Sequence, residues 1–381
     1  MEHLINNRVK NIEISGIRKF FNMVAHVEDM VSLTIGQPDF KTPEHVKEAG
    51  KQAIGSNITT YTHNAGLIQL REAAADFYRD KYHVSYSAEQ ETIITVGASE
   101  AIDITFRTIL DEGCEVILPG PVYPGYEPII KLCGATPIYA DIRKTGFRMT
   151  AALIKGLITE KTRCIVLPYP SNPTGVSLNE TELKEITKLL MDKDIFVLAD
   201  EIYSELVYEQ EHISIAQFLK EQTIVINGLS KSHSMTGWRI GMLFAPEYLA
   251  KHILKVHQYN VTCATSISQM AALEALTAGV DDALPMKKEY AIRRDYVFKR
   301  LTSMGLDVIK PEGAFYFFIK IPESNISSFD FCMDLVKEAK LAVVPGSAFS
   351  EFGEGYFRLS YAYSMDTLKE GLDRLERYLR Q

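Results

Sequence analysis

Seven short runs of β-branched and apolar residues, each followed by a polar turn and a helical stretch, fill the chain between about residues 90 and 245. They are Thr92–Val96, Glu115–Leu118, Thr136–Ala140, Arg163–Leu167, Ile195–Ala199, Thr223–Asn227 and Ile240–Ala245. Runs of this length read as strands buried on both faces. Their alternation with helices predicts an α/β fold, a mostly parallel seven-stranded sheet sandwiched by helices. One helix is marked at its start: Asn179 can cap it, Glu182 completes a capping box, and Leu183, Ile186 and Leu190 share a face. Beyond about residue 290 the pattern becomes mixed α/β and ends in a helix with the stripe Leu368, Leu372, Leu375 and Leu379. The expected division is an N-terminal arm and first part of a small domain over 1–45, a large domain over 46–289 and a C-terminal small domain over 290–381.

Composition narrows the function classes. Of 381 residues, 46% are hydrophobic and 24% charged, which predicts a packed protein and excludes extended disorder. The net charge of -8 offers nucleic-acid phosphates no broad field, so no nucleic-acid partner is expected. Five scattered cysteines without a C-x-x-C fit neither a disulfide framework nor a zinc ribbon. They imply a reducing compartment, the cytoplasm, and no metal. Met1 to Phe21 has no apolar core of the kind a secretory signal needs. Nowhere do 18 uncharged apolar residues run together, so no membrane partner is expected.

In an open parallel sheet, ligands bind beyond the carboxyl ends of the strands, and four of those ends carry unusual chemistry. Gly97-Ala98-Ser99-Glu100 follows the first run and opens a helix whose free N–H groups and dipole make an anion site. Pro170-Ser171-Asn172-Pro173 presents an amide after the fourth run. Asp200-Glu201-Ile202-Tyr203 presents a carboxylate and a phenol after the fifth. Gly228-Leu229-Ser230-Lys231, with Arg239 eight residues on, presents an amine after the sixth. A lysine, carboxylate, phenol, amide and anion nest converging on one edge suit a phosphorylated carbonyl cofactor, pyridoxal 5′-phosphate. The amine attacks the aldehyde, the carboxylate keeps the ring nitrogen protonated, and the phenol and amide bond the ring hydroxyl.

Three segments carry a family resemblance: Ser171-Asn172-Pro173-Thr174-Gly175, Asp200-Glu201-Ile202-Tyr203, and Ser230-Lys231 through Trp238-Arg239-Ile240-Gly241. In this order and spacing they resemble the signatures of class I/II aminotransferases of pyridoxal-phosphate fold type I. The likeness extends over nearly the whole chain, including Tyr61-Thr62, Pro345-Gly346 and Phe357-Arg358-Leu359-Ser360. It implies that Lys231 is the Schiff-base lysine and proton shuttle, that Asp200 pairs with the ring nitrogen, and that Tyr203 and Asn172 bond the ring hydroxyl. It further implies that Tyr123 stacks on the ring. Gly97, Ala98, Ser99, Ser230 and Arg239 would hold the phosphate, with Tyr61 reaching in from a second subunit. Arg358 would clamp the substrate carboxylate, helped by Asn172 and the backbone near Gly36. A planar fork suits a carboxylate, each charge-assisted bond being worth roughly 1.5–3 kcal/mol. The implied partners are an L-amino acid, a 2-oxo acid such as 2-oxoglutarate, and a second copy of the chain that shares the active sites. Within the family the chain is most similar to the bacterial aminotransferase A group, which implies N-acetyl-L,L-diaminopimelate as donor in lysine biosynthesis.

Each motif has a plainer reading. Ser-Lys and Asp-x-x-Tyr are common on surfaces, Asn172-Pro173 alone is a turn, and Arg358 alone could be an edge-strand charge. His233 and Tyr316 are expected to pack in the interior. The apolar residues Ile5, Val9, Ile12, Ile14 and Ile17 of the arm point to docking on other protein surface. Gly97-Ala98-Ser99-Glu100-Ala101 falls one glycine short of a hydrolase nucleophile elbow, and no G-x-G-x-x-G follows any strand. A non-enzymatic regulator built on this domain would carry an added basic DNA-binding domain. Carbon–sulfur lyases and aromatic or broad-specificity aminotransferases share the motifs and stay open. Two departures stand out: aspartate-preferring members tend to have a basic residue where Ser99 stands, and many relatives have a phosphate-touching serine at Gly228.

Overall fold

The computed structural model describes residues 1–24, 26–322 and 326–380. All seven expected runs form strands: β1 Thr92–Thr95, β2 Glu115–Gly120, β3 Thr136–Asp141, β4 Thr162–Leu167, β5 Phe196–Asp200, β6 Thr223–Gly228 and β7 Gly241–Phe244. They join in one sheet of order β1-β7-β6-β5-β4-β2-β3. Only β7 runs against its neighbours, antiparallel to both β1 and β6; the remaining pairs are parallel. β1 and β2–β6 therefore all point the same way and end on the same edge. The central strands are buried along almost their whole length, as expected for strands covered by helices on both faces.

The helix Glu180–Leu190 begins where the sequence marks it. The Asn179 side chain accepts from the Glu182 N–H at 3.0 Å, while the Glu182 carboxylate accepts from the Asn179 N–H at 2.8 Å. Its stripe Leu183, Ile186 and Leu190 is buried.

A second, antiparallel sheet consists of β8 Tyr316–Lys320, β9 Val344–Pro345 and β10 Tyr356–Ser360, with β10 in the middle. Val31–Ser32 pairs separately, in parallel, with Leu341–Ala342. The final helix, Met365–Leu379, is capped by Ser364 and buries Leu368, Leu372 and Leu375, while Leu379 is partly covered. This region's core takes in Phe20, Val24 and Leu33 from near the start of the chain. The N-terminal segment is thus built into the packing beside the smaller sheet. Ile5, Val9 and Ile14 remain exposed, whereas Ile17 packs against the main core. Among the described residues no helix is long and apolar enough to cross a membrane, and no cluster of three or more His, Cys, Asp or Glu side chains could hold a metal ion.

Candidate active site

A cavity of about 660 Å³ opens at the edge where the parallel strands end. It brings together Gly36, Ala98, Ser99, Tyr123, Asn172, Asp200, Tyr203, Ser230, Lys231, Arg239 and Arg358 from segments far apart in the chain. Gly97 lies just behind: a Cβ there would stand 2.5 Å from Arg239 Nη2, and its φ of +78° also favours glycine. Tyr61 does not line the cavity and is 84% exposed.

Lys231 stands in the short helix Leu229–Ser232 directly after β6. Its Nζ donates to the Gly36 carbonyl at 2.7 Å. Burial first, then the positive charges of Arg358 and Arg239, push the amine down to about 8, against the opposing pull of Asp200. An amine in this range has an appreciable uncharged fraction near neutrality and can act as a nucleophile.

Asp200 closes β5 and is buried. It accepts from the Tyr126 hydroxyl at 2.6 Å and from the Ile202 N–H at 3.3 Å. Burial raises its pKa above the usual carboxylate value, and the two hydrogen bonds and Lys231 oppose the rise. The sequence reading missed Tyr126, although it follows Tyr123 by three residues beyond the end of β2. A phenol at the start of the next helix, Tyr126–Leu132, carries no local sign of its bond to Asp200.

Arg358 lies in β10, paired with Phe318 and Val344 across the sheet, and is 2% exposed. Its Nη1 donates to Asn172 Oδ1 at 2.9 Å and its Nη2 to the Thr34 carbonyl at 2.6 Å. The guanidinium sits 4.3 Å from the Tyr316 ring centroid and 5.0 Å from that of Phe349. Nε has no partner, and burial lowers the group's pKa. A buried cation held only by neutral groups is a receptor for an anion. Tyr203 and Tyr316 share a hydroxyl–hydroxyl bond of 2.8 Å, and Lys231 Nζ lies 5.8 Å from the Tyr203 ring centroid. Tyr316 is buried as expected, but it also lines the cavity, because β8 lies beside β10 and carries it against Arg358.

The helix Gly97–Ile109 aims its N-terminus at the cavity, with Ala98 and Ser99 on the wall. Arg239 adopts a left-handed backbone, φ +56°, and donates to the carbonyls of Thr236 at 3.1 Å and Val96 at 3.4 Å. Tyr123 lines the cavity with Ser99, and its ring meets that of Tyr126 edge-on at 5.6 Å. His233 packs as expected, bonded to Ser232 and the Gly279 carbonyl and outside the cavity wall. At Gly228 a Cβ would lie 2.8 Å from the Ile240 carbonyl, so a serine there would require the backbone to shift.

A depressed amine, a buried carboxylate needing a cationic donor, a helix N-terminus beside an arginine and a second, orphaned arginine form a donor set that fits pyridoxal phosphate and a carboxylate substrate. The family model of aminotransferase class I and II matches residues 28–375. The chain belongs to this family, enzymes of fold type I that use pyridoxal 5′-phosphate and move an amino group from an amino acid to a 2-oxo acid. It is 63% identical to the "probable N-acetyl-LL-diaminopimelate aminotransferase" of Bacillus subtilis, covering 100% of this chain and 96% of that protein. Two solved structures are similar. A Pyrococcus protein described as protein-A1 has a TM-score of 0.95 and 39% identity over 98% of each chain. The aromatic aminotransferase of Pyrococcus horikoshii has a TM-score of 0.90 and 38% identity, over 96% of this chain and 98% of that one.

The depressed amine can be read directly. In the cofactor-free protein, acylation of Lys231 followed by peptide mass mapping should level off above about pH 8 and fall about tenfold per unit below it. Arg358→Gln removes a charge that disfavours the ammonium, so it should move this midpoint upward. A midpoint near that of free lysine in the unmodified protein would contradict the geometry.

Proposed function

We propose that the chain is a homodimeric aminotransferase that takes the amino group of N-acetyl-L,L-diaminopimelate, passes it to 2-oxoglutarate, and serves lysine biosynthesis in the cytoplasm. The observation that carries the reaction class is the meeting of Lys231, Asp200 and Arg358 in one cavity. The donor is supported by the 63% identity to the Bacillus subtilis protein of that name. The compartment is supported by five free cysteines among the described residues.

Pyridoxal phosphate, when bound, supplies an aldehyde carbon that exchanges nitrogen and a cationic ring that accepts electron density from the α-carbon. This chain's residues do the rest. Ala98 and Ser99 N–H groups, with Ser230 and Arg239, hold the phosphate at the helix N-terminus, Gly97 giving Arg239 room. Asp200 keeps a proton on the ring nitrogen, and Tyr126 orients the carboxylate. Tyr203 and the Asn172 amide would bond the ring hydroxyl, and Tyr123 would stack on the ring. Arg358 grips the substrate α-carboxylate, with Asn172 and the backbone at Gly36 beside it. With the cofactor in place, the Lys231 amine would be the base that takes and returns a proton at the substrate's α-carbon. The large body, 46–289, carries the cofactor groups, and the smaller one, 1–45 with 290–381, supplies Gly36 and Arg358.

Tyr61 is the exception that argues for a dimer. It is exposed and outside its own chain's cavity, which suits a side chain given to the phosphate of a second copy. Mixing inactive Lys231→Ala subunits with Tyr61→Ala subunits then builds one intact site per hybrid dimer. Activity should rise well above that of either parent; no gain on mixing would refute the shared site.

Borohydride reduction of the holoenzyme and peptide mapping should find the pyridoxyl group on Lys231, and label on another lysine would overturn the assignment. A panel of amino donors with 2-oxoglutarate should give glutamate fastest from N-acetyl-L,L-diaminopimelate. Faster turnover of an aromatic donor would replace the substrate, and pyruvate with ammonia in the absence of any acceptor would make the enzyme a lyase.

A further inference from the structure

Among the described residues, four cations line the cavity, Arg18, Lys231, Arg239 and Arg358, against one acid, Asp200. The proposed function employs three of them and leaves Arg18 without a task. Arg18 sits in the helix Gly16–Val24, whose Phe20 and Val24 are buried in the core beside the smaller sheet. Ser15, Arg18 and Asn22 fall on the opposite side at helical spacing, and all three line the cavity. The neighbouring Lys19 is paired with Glu13 at 2.6 Å, whereas Arg18 has no ion pair or hydrogen bond among the described residues.

We infer that Arg18 is a specificity residue that binds a second, distal carboxylate of the substrate, so that the cavity selects dicarboxylic amino and 2-oxo acids. Arg358 takes the α-carboxylate in the buried interior, and Arg18 meets the far end of the chain from the N-terminal helix. Phe21 and Ile17, also on the wall, flank the intervening methylenes. A long guanidinium side chain at an open rim can reach carboxylates at different distances. Donor and acceptor of different lengths can then use one site in turn. The inference rests on the aminotransferase reading of this cavity.

The test compares two ligands of equal carbon number, glutarate and pentanoate, which differ in the second carboxylate, by calorimetric titration of the holoenzyme. The unmodified protein should bind glutarate about 10- to 100-fold more tightly, the worth of one or two charge-assisted hydrogen bonds. Arg18→Met should bring that ratio close to one, and Arg18→Lys should keep an intermediate preference. The ratio of kcat/KM for 2-oxoglutarate over 2-oxohexanoate should fall in parallel, chiefly through KM. Equal binding of both ligands by the unmodified protein overturns the inference, as does a ratio that Arg18→Met leaves intact while weakening both. Failure of the aminotransferase reading would look different: neither 2-oxo acid would accept an amino group from any donor.

Discussion

The structure turns on a positive charge held inside protein without a negative one beside it. Moving a charged group out of water costs on the order of several kcal/mol unless it is paired. Arg358 is buried among an amide oxygen, a backbone carbonyl and two aromatic faces, with its Nε unsatisfied. The same charge, with that of Arg239, helps to lower the Lys231 amine. In the proposed function, carboxylate binding and part of the amine's depression therefore share one charge, burial being the larger cause of the depression. A carboxylate that enters to satisfy Arg358 also lessens the repulsion on Lys231, which returns toward its own basicity as the substrate seats. An amine that must later hold a proton gains from that change.

Sheet polarity makes this possible. With β7 alone reversed, the carboxyl ends of β1, β4, β5 and β6 lie along one edge, and their loops deliver the anion nest, Asn172, Asp200 and Lys231. The smaller sheet then closes the far wall, β10 supplying Arg358 and β8 supplying Tyr316. Neither sheet holds a complete site. Phe20, Val24 and Leu33 tie the N-terminal segment into the core beside the smaller sheet, which sets Arg18 and Gly36 at the cavity's edge.

Much of this was legible in the sequence, for identifiable reasons. Strands buried on both faces leave unbroken apolar runs, so all seven could be read to within two residues or so at their ends, and Asn179 with Glu182 marked a helix start unambiguously. Residues just after strands were legible because the edge rule says where to look. Tyr126 and Tyr316 were not. Each is a large aromatic side chain in an apolar neighbourhood, indistinguishable from core until its hydroxyl is seen to reach Asp200 or Tyr203. Arg18 was equally silent, since one arginine in an amphipathic helix reads as a solvated charge. Its meaning comes from the cavity it faces, a long-range property that no local pattern records.

The central claim is that charge in this cavity serves chemistry and not folding, and Asp200→Asn tests it most directly. The asparagine keeps the shape while removing the charge. The account predicts that the variant holoenzyme transaminates at least about 100-fold more slowly, as when a preorganised electrostatic group is lost. The thermal midpoint of the cofactor-free variant should stay level or rise, because without the ring's charge a buried carboxylate whose pKa burial has raised is costly to keep ionised. A variant that keeps its rate, or one that loses stability in step with its activity, would contradict it.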